Sequence, residues 1–321
     1  MGSNRVLFCV IAWLFLASCA AWAASPAEWG PYGIGELRED IADVSRGREI
    51  DLLILYPLTT GAGEVPEAGY PLVLFNHGFM LWGGLYRSYG EQLASHGFVV
   101  ALPSYAMSFA GISHTELAAD ARFAIDRCLA LDIQTGSALF GLVDESEIGA
   151  AGHSLGGKLA LLEAVTDERV RAIATLDPMD GGGPVADDPI LYPSVAPERM
   201  PQIHVPLLFV GAELGGIAYF LIPCAPPADN YEQFYEAANS PAIEITQLGA
   251  GHGQYADPGA ESMLAACAPG TVSDDGVRSS SAAYLTAFFL GHLGGDASAL
   301  AWLDAQLLED EAQSLVVVRR K

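Results

Sequence analysis

The sequence predicts an α/β protein in which a mostly parallel central sheet carries helices on both faces. Short apolar runs alternate along the chain with segments of helical period, which is typical of strand–helix–strand crossovers. Most of these runs are continuously apolar, as in parallel strands that are buried on both faces. The chain has 321 residues, 51% of them hydrophobic, and no internal repeat, so one domain of this class accounts for its length.

Residues 1–24 are predicted to be an export signal and residues 25–321 a single domain. Arg5 precedes an apolar stretch, and small residues follow it. Two cleavage sites compete: "LASC" resembles a bacterial lipobox that would leave Cys19 lipidated on a membrane, and "AWA" fits ordinary secretion. An uncleaved anchor is disfavoured, because the apolar stretch is barely long enough to span a bilayer. Each alternative predicts an exported protein, whether periplasmic, secreted or lipid-anchored.

The charge of the chain argues against nucleic acid as a partner. Lys and Arg number 15 against 39 Asp and Glu, which gives a formal net charge of −24. Binding to nucleic acid needs a basic surface, and this composition does not supply one.

The individual elements follow from the same patterns. The run "REIDLLILYP" alternates and is expected to be a half-exposed strand, and "AIEITQLGAGHG" is expected to contain the last strand. The continuous apolar runs are "YPLVLFNHG", "GFVVALPSY", "EIGAAGHS", "VRAIATLDP" and "VPLLFVGAE". Segments of helical period are "YRSYGEQLASHG", "TELAADARFAIDRCLALDIQ", "GGKLALLEAVTDE", "NYEQFYEAAN", "SAAYLTAFFLGHL" and "SALAWLDAQLLEDEA". In such sheets functional sites form at the carboxyl ends of the strands, where the candidate residues below fall.

Ser154 is the candidate nucleophile. It lies in "GHSLG", which fits the G-x-S-x-G elbow, after a predicted strand and before a predicted helix. Glycines two positions away on each side let the serine occupy a strained corner, and the following helix directs N–H groups at developing negative charge. The alternative is a purely structural glycine turn.

A serine hydroxyl needs a base, and the order expected for this architecture is serine, acid, histidine. His252, in a glycine-rich loop after the last predicted strand, is the expected base; His204 and His292 are expected to be structural or solvated. Asp177 ends a predicted strand and is the favoured acid, although it could simply cap the turn that it starts. Asp180 and Glu213 remain alternatives, whereas Asp257 lies too close to His252 in sequence.

The backbone N–H groups of Phe79 and Leu155 are expected to form the oxyanion hole. Leu155 follows the nucleophile, and Phe79 follows the strand "LVLFN" in a loop that His77 helps to shape as a hydrogen-bonding residue. The apolar side chains after this strand either line a substrate pocket or belong to the core; they are Phe79, Met80, Leu81, Trp82 and Tyr86.

Three cysteines follow the predicted signal. Cys224 and Cys267 lie in loop-like stretches and are expected to form a disulfide in an oxidising compartment, and Cys128 is expected to be a buried thiol. Three free thiols are the alternative.

These residues together make the chain resemble an α/β-hydrolase of the branch that holds plant chlorophyllases, bacterial cutinase-like polyester hydrolases and dienelactone-hydrolase-like esterases. The chlorophyllase resemblance covers roughly Leu72 to Asp257 and rests on "GHSLGGKLAL", "LDPMDGGGP", "VPLLFVGAELGG" and "GAGHGQYAD", among other stretches. It implies a triad of Ser154, Asp177 and His252. Chlorophyllases usually carry arginine after the nucleophile, whereas this chain has Leu155, as generic lipases and esterases do.

The expected function is therefore that of a serine carboxylic-ester hydrolase that acts through an acyl-enzyme on a small-molecule or lipid-like ester. No metal or organic cofactor is implied, because no cluster of histidines and carboxylates has metal-ligand spacing. Lipase, polyester-hydrolase and phospholipid acyl-hydrolase activities are the alternatives, and a non-catalytic binding protein is disfavoured. The loop Gly181 to Gln202 is expected to overhang the site or to be a surface connector.

Overall fold

The predicted α/β class is confirmed by a nine-stranded, mostly parallel sheet. The computed structural model describes residues 24–59, 65–106, 113–181, 188–220 and 223–321. The strands are β1 (Gly33–Asp43), β2 (Arg48–Leu58), β3 (Tyr70–Asn76), β4 (Val99–Tyr105), β5 (Val143–His153), β6 (Val170–Leu176), β7 (Leu207–Ala212), β8 (Ala242–Gln247) and β9 (Val316–Arg320). Their order is β1-β2-β4-β3-β5-β6-β7-β8-β9, antiparallel at β1/β2, β2/β4 and β8/β9 and parallel elsewhere.

Helices cover both faces of this sheet. They are α1 (Arg87–Ser95), α2 (His114–Asp132), α3 (Leu155–Thr166), α4 (Tyr231–Ala237), α5 (Glu261–Leu264), α6 (Asp274–His292) and α7 (Ala297–Ala312). Alternate residues of a strand point to opposite faces, so Leu72 and Leu74 pack with α2, α3 and α4, while Val73 and Phe75 pack with α1, α6 and α7. The two apolar cores hold the parallel strands between them and align the carboxyl ends of these strands along one side of the sheet, which we call the carboxyl edge.

Two predictions about individual strands need correction. The strand β2 alternates between exposed and buried residues only near its ends, whereas Leu52 to Leu55 are all buried, because β1 and β4 flank it and helices cover both faces. The run "AIEITQLGAGHG" contains β8, but β8 is not the last strand, since β9 follows it in the chain and pairs antiparallel with it. Both β1 and β9 are edge strands with many exposed residues, so they lack the continuous apolar pattern of buried strands.

The predicted disulfide is confirmed. Cys224 and Cys267 are joined with their Cα atoms 5.4 Å apart, and Cys128 is a buried free thiol, so the alternative of three free thiols is wrong. Burial raises the pKa of the Cys128 thiol to about 12, which keeps it protonated. The disulfide links the loop after β7 to the segment that follows His252, two connections at the carboxyl edge of the sheet.

Removing this disulfide is expected to lower the free energy of unfolding by about 4 kcal/mol, the chain-entropy value for a loop of this size. The double variant Cys224→Ser/Cys267→Ser should therefore unfold at a lower urea concentration than the wild type. Reducing agent provides the matched control, because it should lower the wild-type midpoint and leave that of the double variant unchanged. Equal midpoints for wild type and double variant would contradict a stabilising disulfide.

The predicted export signal lies almost wholly outside the described residues, as do Cys19 and both cleavage sites. Within the described part of the chain, no helix combines the length and the apolar composition needed to cross a bilayer.

Candidate active site

Ser154 occupies a sharp turn between β5 and α3. Its φ of 56° lies in the left-handed region, which a residue other than glycine adopts only when the surrounding structure holds it there. The neighbouring backbones approach closely: a methyl carbon on Gly152 would lie 2.3 Å from the Gly156 carbonyl oxygen, and one on Gly156 would lie 2.2 Å from that of Asn76. Glycine is therefore required at both positions, as the elbow pattern predicts.

The structure brings Ser154, His252 and Asp177 into one hydrogen-bonded line. His252 Nε2 lies 3.0 Å from Ser154 Oγ, and His252 Nδ1 lies 2.7 Å from Asp177 Oδ2. A carboxylate only accepts, so Nδ1 carries the proton and Nε2 is left to accept the serine O–H. The three residues are buried, with 8% of Ser154, 4% of His252 and none of Asp177 exposed, so water competes little for these bonds.

Each member of this line follows a different parallel strand. His252 begins a short 3-10 turn (His252–Tyr255) beyond β8, and Asp177 directly follows β6. Asp177 is held by its own backbone N–H, which donates to Val210, and by its Oδ1, which accepts from the Ala212 N–H at 3.1 Å. The carboxylate is thereby aimed along the sheet edge at His252.

The other candidate acids have different partners. The Asp180 carboxylate accepts from the backbone of Val195 and Ala196 and pairs with buried Lys158, 3.1 Å away. Glu213 is exposed and accepts from the Gly249 N–H at 2.7 Å. Asp257 accepts from the Ser88 N–H at 2.9 Å. Among the described carboxylates, Asp177 is the one that meets His252.

The loop after β3 runs beside the turn at Ser154, the predicted nucleophile turn, and the sequence predicts one oxyanion donor in each of the two. The carbonyl oxygens of Asn76 and His77 lie against Gly156, and Phe79 follows them, partly buried against the core. Leu155 is the first residue of α3, so its N–H belongs to the helix terminus that has no intrahelical acceptor. The loop that leads to Phe79 therefore passes close to the first turn of α3, which Leu155 begins.

The remaining predicted residues divide between core and surface. His77 is buried, donates from Nδ1 to the Gly78 carbonyl at 2.8 Å and accepts the Tyr105 N–H at 3.0 Å; burial lowers its pKa to about 4. Leu81 and Tyr86 are core residues, while Trp82 is 44% exposed.

Part of the loop 181–202 lies outside the described residues. The described part contacts the start of α2, where the Leu191 carbonyl accepts from the His114 N–H.

Sequence reasoning missed the structural roles of several residues that hold the site. Lys158 is fully buried and donates to the Asp180 carbonyl at 2.8 Å, which attaches the loop after β6 to α3. Gln254 accepts from the Gly251 N–H at 2.9 Å and so fixes the turn that carries His252. His153 and Tyr86 form a buried pair with a 2.7 Å hydrogen bond. Little in the sequence indicated the roles of Lys158 and Gln254, because lysine and glutamine side chains are mostly exposed in proteins.

The strand order and the serine on the turn between β5 and α3 define the α/β-hydrolase fold. The chain matches the profile of the family described as Chlorophyllase over residues 29–314. The chain belongs to the chlorophyllase family, and the resemblance drawn from its motifs is confirmed.

Individual relatives agree with this assignment. The chain is 27% identical to Chlorophyllase-2 of Arabidopsis thaliana over 60% of its own length and 62% of the relative. It is 31% identical to Chlorophyllase type 0 of Chenopodium album over 57% of its length and 55% of the relative. It is 26% identical to the platelet-activating factor acetylhydrolase of Cavia porcellus over 63% of its length and 50% of the relative. The chain thus spans less than two thirds of the length of each of these three relatives.

Proposed function

We propose that this protein is an exported serine hydrolase of carboxylic esters, with residues 25–321 as one catalytic domain behind the signal in residues 1–24. The observation that carries the proposal is the hydrogen-bonded line from Ser154 Oγ through His252 to Asp177, with distances of 3.0 Å and 2.7 Å. Nucleophile, base and orienting acid are within reach of each other before any substrate binds.

The first half of the reaction forms an acyl-enzyme. Ser154 Oγ attacks the ester carbonyl carbon while His252 Nε2 takes the hydroxyl proton, and Asp177 stabilises the imidazolium that results. The N–H groups of Phe79 and Leu155 donate to the tetrahedral oxyanion. His252 then gives its proton to the leaving alcohol as the bond between the carbonyl carbon and the alkoxy oxygen breaks.

The second half returns the enzyme to its starting state. Water enters where the alcohol left, His252 removes a proton from it, and the hydroxide attacks the acyl carbon. The carboxylic acid departs when Ser154 recovers its proton from His252. The nine-stranded frame keeps donors and base in place, so little reorganisation accompanies either half.

An apolar ester is the substrate class that the surface favours. Large apolar side chains are exposed in the connections that follow β3, β6, β7 and β8, at the carboxyl edge where Ser154 lies. They are Trp82, Ile190, Leu191, Ile217, Tyr219, Phe220, Met263 and Val272. Exposed apolar groups concentrated at one edge are typical of surfaces that receive apolar ligands. The names of the relatives make chlorophyll the first candidate.

A phospholipid acyl ester is the second candidate. The similarity to a platelet-activating factor acetylhydrolase favours it, and so does Leu155 at the position that is usually arginine in chlorophyllases. Both candidate substrates would be cleaved by the same triad and would bind at the same exposed apolar residues, which we call the apolar edge. They differ in the alcohol that leaves.

A panel of esters tests this proposal. We expect hydrolysis of p-nitrophenyl esters, and we expect the product analysis on chlorophyll and on an acetylated phospholipid to identify the leaving group. Replacing exposed Trp82 by alanine should lower kcat/KM roughly tenfold for a long-chain ester, as loss of ~50 Å² of apolar contact would produce, and little for a short one.

The matched control is Phe140→Ala. Phe140 is 54% exposed, but it precedes β5 and so lies at the opposite edge of the sheet. This variant should behave as wild type on every ester. Failure of the wild type to hydrolyse any ester of the panel would overturn the proposed function, and equal effects of the two variants would overturn the role of the apolar edge.

A further inference from the structure

A chain of buried hydrogen bonds connects the loop after β3 to the turn that carries His252. The Gly78 N–H donates to the Tyr86 hydroxyl oxygen at 3.2 Å. The Tyr86 hydroxyl lies 2.7 Å from His153 Nδ1. His153 Nε2 lies 3.0 Å from the carbonyl oxygen of His252. Gly78 precedes Phe79, the expected oxyanion donor, and His153 precedes Ser154.

Only one arrangement of protons satisfies every atom of this chain. The His252 carbonyl can only accept, so His153 Nε2 carries a hydrogen. In a neutral imidazole Nδ1 must then accept, which makes the Tyr86 hydroxyl its donor and leaves the hydroxyl oxygen free to accept from Gly78. Burial, together with neighbouring His252, lowers the pKa of His153 well below its ordinary value and so favours this neutral form.

The surrounding packing leaves the chain rigid. His153 and Tyr86 are both fully buried. The His153 ring lies 4.7 Å from the His252 ring, and the Tyr86 ring stacks on Phe75 at 5.0 Å, as ring centroids. A buried polar group that loses its partner in such a place gains no water in exchange, so each bond is costly to break.

We propose that His153 and Tyr86 are positioning residues that hold the loop after β3 and the turn of His252 at fixed places about Ser154. This inference rests on the proposed function. The loop after β3, the nucleophile turn and the His252 turn follow three different strands, and the chain of hydrogen bonds joins them directly. Displacement of reacting groups by about 1 Å costs about a hundredfold in rate, so a link that fixes their separation acts on kcat rather than on binding.

The kinetic test removes one atom from the chain. Tyr86→Phe should lower kcat for a short soluble ester about tenfold to a hundredfold with little change in KM. Tyr89→Phe is the matched control: Tyr89 is also buried and stacks on Phe75, at 5.4 Å, but its hydroxyl lies outside this chain of hydrogen bonds. It should keep wild-type kcat.

Two variants of His153 separate positioning from folding. His153→Gln keeps a donor for the His252 carbonyl and should retain more activity than His153→Leu, which keeps none. Adding Tyr86→Phe to His153→Leu should cost little more, because residues that act as a unit are not additive. Additive losses, or equal kcat for Tyr86→Phe and Tyr89→Phe, would overturn the proposal.

Nitrogen-15 spectra of the imidazoles test the same chain without relying on turnover. We expect His153 to show the neutral Nε2–H tautomer and no titration between about pH 5 and about pH 8. Tyr86→Phe should shift the His252 Nδ1–H resonance, and Tyr89→Phe should not. If the wild type hydrolyses no ester, the proposed function fails while these spectra still decide the linkage; an unshifted His252 resonance in Tyr86→Phe would refute it.

Discussion

Replacing Ser154 with alanine is expected to lower kcat/KM for ester hydrolysis by about five orders of magnitude. In the proposed mechanism the Ser154 hydroxyl is the attacking group, and the strained turn at φ 56° presents it to the substrate. Residual activity over water would come only from the oxyanion donors and substrate binding. The measurement is the rate of p-nitrophenyl butyrate hydrolysis by purified protein, with unfolding curves to show that the variant is folded.

Ser146→Ala is the matched control for this experiment. Ser146 lies on the same strand, β5, but is exposed and far along it from the nucleophile turn, so its removal should leave the rate unchanged. A fluorophosphonate probe gives a second readout, because it should label the wild type and Ser146→Ala at Ser154 and should not label Ser154→Ala. Retention of activity or labelling in Ser154→Ala would assign the nucleophile elsewhere.

The second large effect is expected for Asp177→Asn, a loss of about four orders of magnitude in kcat. The amide has nearly the shape of the carboxylate, so the fold is kept. In the wild type, His252 Nδ1 lies 2.7 Å from a carboxylate oxygen. The amide can present an N–H to Nδ1 instead, which favours the wrong tautomer of His252, with the proton on Nε2. The amide also cannot stabilise the imidazolium. Measured kcat should fall while KM changes little, because the interaction matters most when His252 is charged.

Glu213→Gln provides the comparison that identifies the acid. Glu213 follows β7, the other position at which such folds place their acid, yet it accepts from the Gly249 N–H and is exposed. Its amide form should stay within a few-fold of the wild type, as a change on an exposed side chain usually does. The reverse result, a large loss in Glu213→Gln and little in Asp177→Asn, would make Glu213 the acid.

Much of the fold was predictable because its signals are local. The five continuous apolar runs became β3 to β7, and the segments of helical period became α1 to α4, α6 and α7. The edge strands β1 and β9 were missed because they are exposed on much of their length and read as polar segments. For β9 the pairing partner is also distant in sequence, since β8 ends at Gln247 and β9 begins at Val316.

The sequence by itself determined the fold class, the nucleophile turn and the approximate places of Asp177 and His252. Glycine spacing, strand ends and residue order are properties of short stretches, and short stretches are what a sequence displays directly. Their catalytic roles remain predictions, to be decided by the variants above.

Only the tertiary structure decided between Asp177 and the alternative carboxylates as the partner of His252, and between a Cys224–Cys267 disulfide and three free thiols. It also placed His153 between Tyr86 and the His252 carbonyl, which no sequence pattern had indicated. These contacts join residues separated by 43 to 99 positions along the chain. No local pattern encodes such distances, because the two cores set them by stacking the strands side by side. The chemistry of the site depends on angstrom-scale separations that packing alone establishes.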